Sequence, residues 1–128
     1  QMLLDVILTQ QAQIGQMQGW LTVWGLPLSG SQPPMSDHSL HGADMPPNMG
    51  MASAADVESL GTLPLAEAEV KFLRLMILHH QGGVYMSRHT LEQTQRPEVV
   101  QLAESIILSQ NKEIAYMQSL LEARGQTP

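Results

Sequence analysis

The sequence contains no cysteine. A disulfide framework and a thiolate metal site are therefore excluded. Basic residues are scarce: six Lys and Arg stand against twelve Asp and Glu, for a formal net charge of −6. Without a basic stripe to neutralise phosphates, the composition argues against nucleic-acid binding. Aromatic side chains make up 4% of the chain, so Leu, Ile, Val and Met must fill the core. No apolar run reaches the roughly 20 residues that span a bilayer, and no signal-peptide pattern opens the chain. Gln1-Met2-Leu3-Leu4 already lies inside an apolar periodic pattern. A processed or truncated chain is the expectation, with any export signal or membrane anchor upstream. No nucleophile–base set and no glycine-rich phosphate loop can be read, so no enzymatic activity is expected.

What the chain does contain is 43% hydrophobic residues over 128 positions, enough for a single domain with a real core. The apolar spacing predicts helices over residues 1–24, 53–60, 64–95 and 97–123. In the first, Leu3, Ile7, Gln10, Ile14, Met17 and Leu21 form one seam with spacings of three and four. In the last, Ala103, Ile107, Gln110, Ile114, Met117 and Leu121 occupy the same seam, offset by 100 positions. Identical pairs include Ile7/Ile107, Gln10/Gln110, Ile14/Ile114 and Met17/Met117, which reads as an internal duplication. The second copy is preceded by a long helix and the first is not. The expected architecture is thus an all-α, up-down bundle of duplicated helix pairs with one helix absent. Another subunit, a second copy of the chain, or an upstream segment would fill the gap.

Nine methionines accompany five histidines. On the long helix, Met76 lies one turn before both His79 and His80, and Met86 lies two turns after His79. Adjacent histidines point about 100° apart, so each serves its own partner, as ligand or as packing residue. Gln110, polar within an apolar seam, is a candidate to hydrogen-bond one imidazole from behind. The neighbouring Gly82 and Gly83 each cost about 1 kcal/mol in a helix interior, which implies close backbone approach by a helix or ligand. Residues 25–52 form a long Met/His/Pro-rich loop that offers Met35, His38, His41, Met45, Met49 and Met51. Soft thioethers with borderline imidazoles favour copper, Cu(I) or Cu(II), over Mg or Ca.

Phe72-Leu73-x-x-Met76-x-x-His79-His80-x-x-Gly83-x-x-Met86 resembles the signature of the bacterial domain of unknown function 305 family. The segment Leu8–Leu21 and its copy at 108–121 are similar to that family as well. The resemblance implies a ferritin-like bundle, an extracytoplasmic location in the periplasm or cell envelope, and copper binding. It would place metal-associated roles on Met76, His79, His80 and Met86, with Met117 in the partner helix. The family's first His-His motif is missing here. Two other readings compete with a copper-binding or copper-buffering protein. One is a non-catalytic accessory subunit of a membrane-associated complex, whose His and Met residues only pack. The other is a di-iron enzyme, against which stands the absence of any Glu-x-x-His pair.

Overall fold

The computed structural model describes residues 2–31 and 45–127, and they contain four α-helices, one 3₁₀ turn and no strand. The helices are α1 (Met2–Val23), α2 (Ala54–Leu60), α3 (Leu65–Gln93) and α4 (Pro97–Glu122); the 3₁₀ turn covers Pro47–Gly50. Two compact units are present, Gln1–His38 and Ser39–Pro128.

In the first unit, α1 carries a single charged residue, Asp5. It ends at Gly25, whose φ of +68° lets the Leu26 N–H reach back to the Leu21 carbonyl at 2.8 Å. The end of α4 repeats this device. Gly125 has the same φ of +68°, and the Gln126 N–H bonds the Leu121 carbonyl at 3.0 Å. The offset of 100 positions therefore extends from the helical seam into the geometry of the caps. Trp20 and Trp24 stack along the last turn of α1, their ring centroids 6.1 Å apart.

In the second unit, Ser53 caps α2 by accepting from the Asp56 N–H at 3.1 Å while its hydroxyl donates to Asp56 Oδ2 at 2.6 Å. The bond from the Ser53 hydroxyl, followed by the interaction with Lys71 at 2.9 Å, holds the Asp56 carboxyl below the usual aspartate range. Arg96 is extended before Pro97, as the residue preceding a proline prefers, and this breaks α3 from α4.

Three cross-helix contacts define how α3 and α4 pack. Arg124 donates to Glu69 at 3.1–3.2 Å, His80 meets Glu113 at 2.7 Å, and Gly83 abuts the Gln110 amide. Each step up α3 is matched by an equal step down α4, so the two run antiparallel in one register. That register sets Met76 opposite Met117. The core lies along it: Leu73, Ile77, Val84, Ala103, Met117 and Leu121 are buried, together with the polar His80 and Ser87.

Candidate metal centre

His80 is fully enclosed, and both of its ring nitrogens are used. Nδ1 donates to the Met76 carbonyl at 2.8 Å, a bond within the helix. Nε2 shares a proton with Glu113 Oε2 at 2.7 Å. A carbonyl only accepts, so Nδ1 must carry hydrogen, and a second hydrogen lies between Nε2 and the Glu113 carboxyl oxygen. This arrangement satisfies a buried imidazole and ties α3 to α4 at mid-length.

His79 differs. Its ring lies 6.1 Å from that of His80 and nearly perpendicular, at 74°, and the residue stays at the surface. The Gly50 backbone lies against it: a Cβ on Gly50 would come within 3.0 Å of the His79 Cα. Burial of the ring by surrounding protein is the main cause that lowers its pKa from 6.5; the charge on His80 adds to this and the Gly50 carbonyl opposes it. The balance favours a neutral imidazole, the form of histidine that can ligate a metal ion.

Gly50 belongs to the 3₁₀ turn, which α3 is shaped to receive. A Cβ on Gly82 would collide with the Met49 carbonyl, and one on Gly50 would strike the Leu78 carbonyl. Only glycine at both places allows the two backbones to touch. Asn48 and Met49 sit at φ +51° and +52° within the turn. For methionine the left-handed region costs roughly 1–2 kcal/mol, which the docking of the turn must offset. The outcome is a half-buried Met49 and an exposed Met51 on either side of the glycine that lies against His79, with Met45 just upstream of the buried Pro46.

The histidine helix and the methionine loop, separate constellations in the sequence, thus meet at the described end of the loop. Met35, His38 and His41 lie outside the described residues. Met76 and Met117 belong to the interhelical core beside His80, where Met117 is 1% exposed. Met86 is half-buried farther along α3, beyond the two glycines. His89, at the same end, approaches Glu92 at 3.9 Å.

Gln110 does not take the expected place behind an imidazole. Its amide lies against Gly83, and its buried carbonyl oxygen has no hydrogen-bond partner. Glu113, one turn further along the same seam, holds His80 instead. A carboxylate three residues beyond a seam glutamine was the available signal; its neighbour Lys112 made the position look solvated.

Among the described residues no three His, Asp or Glu side chains converge as a metal-binding group. The side-chain donors that the described residues offer around His79 are its imidazole and the methionines of the turn, a set that fits a soft monovalent or borderline divalent ion rather than a hard one.

Residues 1–121 match the family model described as "Domain of unknown function (DUF305)". A crystal structure of a DUF305 protein from Streptomyces coelicolor, named as a candidate secreted protein, superposes with a TM-score of 0.80 at 41% identity. It aligns with 96% of this chain and 72% of its own. A DUF305 fragment from Deinococcus radiodurans gives a TM-score of 0.76 at 43% identity, covering 95% of this chain and 74% of its own. Uncharacterized protein L153 of Acanthamoeba polyphaga mimivirus is 41% identical over 54 residues; the match spans 42% of this chain and 36% of that relative.

Proposed function

The chain belongs to the DUF305 family, and from the surroundings of His79 we propose that it binds a soft metal ion, copper, through His79 and the methionines of the docked turn. The observation that carries this reading is the docking of the Met49–Gly50 backbone against Leu78, His79 and Gly82 of α3. It brings the backbone that bears Met49 and Met51 up to the histidine. Thioethers stay uncharged and unprotonated at any physiological pH, and a depressed imidazole pKa keeps His79 available in mildly acidic surroundings. Binding and buffering, without catalysis, is the activity that such an exposed, loosely held donor set supports. His80 acts as the structural partner that keeps α3 in place. An extracytoplasmic location accords with this chemistry and with the Streptomyces coelicolor relative, named as a candidate secreted protein.

An accessory role in an assembly is favoured by a separate observation. Leu3, Leu4, Ile7, Leu8, Ile14 and Met17 of α1 are each 41–56% exposed, and apolar patches of this kind accompany protein interfaces.

Titration of the purified chain with Cu(I) against a competing chelator tests the metal reading. His79→Ala and the pair Met49→Leu/Met51→Leu are each expected to weaken binding at least tenfold. Gly82→Ala should do the same by expelling the turn, although alanine is the better helix former. Full affinity in all three variants would reject the assignment.

A further inference from the structure

Three depressions that share lining residues follow one another along α3. One end is a depression of about 680 Å³ walled by Leu63 and Val70 together with Glu67, Glu69, Lys71, Arg74 and Arg124, so its charge is mixed. Arg74 leads into a second depression with Leu78 and Gln81. Those two residues also line a third, with Tyr85, Arg88 and Asn111 on the helices and Pro46 and Pro47 of the docked turn on its other side. Their α3 wall therefore carries the stripe Arg74, Leu78, Gln81, Tyr85 and Arg88. Its spacing alternates four and three residues, the spacing with which one helix meets another in a coiled coil.

The charges on this wall are distributed unevenly. Lys71 is neutralised by Asp56 at 2.9 Å and Arg124 by Glu69 at 3.1 Å. Arg74 bonds only an amide, Gln126 Oε1, at 3.2 Å. Arg88 has no carboxylate partner among the described residues. Arg74 and Arg88, like Lys112 on α4, have no ion pair with a carboxylate among the described residues, and the two arginines stand one at each end of the same stripe. They are separated by four helical turns, about 21 Å. Between them lie Leu78, 37% exposed, and the half-buried Tyr85.

We propose that this stripe docks an amphipathic helix of an acidic partner protein. The partner's apolar residues would cover Leu78 and Tyr85, and carboxylates two heptads apart would meet Arg74 and Arg88. Guanidinium groups suit this task because each can grip a carboxylate through two parallel hydrogen bonds. Charge complementarity commits the stripe to an acidic occupant. The chain's own helices offer no acidic pair at that spacing on an exposed stripe, so a second copy does not supply it.

The probe is a fluorescently labelled synthetic helix of three heptads, with leucines on its apolar seam and glutamates two heptads apart, followed by polarisation against the full chain. Saturable binding is expected, weakened about tenfold in Arg74→Glu/Arg88→Glu and recovered when that variant meets the lysine-substituted peptide. Raising the salt concentration should weaken the native pair. No binding of the glutamate peptide, or equal binding of both peptides to both proteins, overturns the proposal. Copper affinity is expected to be unchanged in the double variant, so failure here is distinguishable from failure of the metal reading.

Discussion

Helices α1 and α4 share a seam and a cap, yet they occupy opposite environments. Ile7, Ile14 and Met17 are 51%, 49% and 41% exposed, whereas Met117 and Leu121 are 1% and 0% exposed. Periodicity therefore sets which residues of a helix can be buried together; the neighbouring element decides whether they are. For α4 that neighbour is α3, fixed in register by Glu69–Arg124, His80–Glu113 and Gly83–Gln110. The two copies diverge at this contact: the position of Glu113 in the second is Gln13 in the first. The buried His80–Glu113 pair thus belongs to the α3–α4 unit alone.

Truncation of the same seam residue in each copy should expose the contrast most strongly. Met117→Ala is expected to destabilise the second unit by about 3 kcal/mol through lost burial and a residual cavity. Met17→Ala should stay within about 0.5 kcal/mol. Urea unfolding of each variant, followed by circular dichroism, reads the difference; equal losses would mean that α1 is as firmly packed as α4. A smaller effect is expected at the polar position. Glu113→Ala leaves His80 Nε2 buried without a partner, at a cost of about 2 kcal/mol, and Gln13→Ala should be nearly silent in the same assay.

The caps should behave alike. Alanine at Gly25 or Gly125 meets the same φ of +68° and costs about 1 kcal/mol of local helix stability. Amide exchange is expected to show fraying of the last turn in both helices, with global unfolding shifted only by Gly125→Ala. A change in α1 without one in α4, or the reverse, would break the equivalence of the caps.

The smallest expected effect is a pH dependence that α3 shows and α1 does not. His79 has a folded pKa below 6.5, so the unfolded chain binds more protons in that window, and stability falls as pH drops through 6.5 towards the folded value. Asp56 acts in the same direction below 3.8, where its bonds to Ser53 and Lys71 are lost on protonation. The helix α1 has no histidine and should show no step near 6.5. Acid titration of α1 and α3 amide signals by NMR checks this.

Much of this arrangement can be read from local pattern. The helices, the breaks at Gly25, Gly61 and Arg96-Pro97, and the demand of Gly82 and Gly83 for close approach all follow from short-range rules. What approaches the glycines does not. Gly82 receives a turn from a distant loop, and Gly83 receives the Gln110 side chain. Neither pairing leaves a local trace beyond the missing Cβ. Glu113 illustrates the same limit: next to Lys112 it reads as a solvated charge, and only antiparallel packing turns it towards His80. The difference between the two histidines is also tertiary, since adjacent positions on one helix acquire different chemistry from Glu113 on one side and Gly50 on the other.

The proposal that His79 and the docked methionines form one soft-metal site is tested most directly by X-ray absorption at the copper edge of the Cu(I)-loaded chain. A first shell of both sulfur and nitrogen is predicted, with the nitrogen contribution lost in His79→Ala and retained in His80→Gln. A shell of nitrogen and oxygen alone, or one unchanged by His79→Ala, would contradict it.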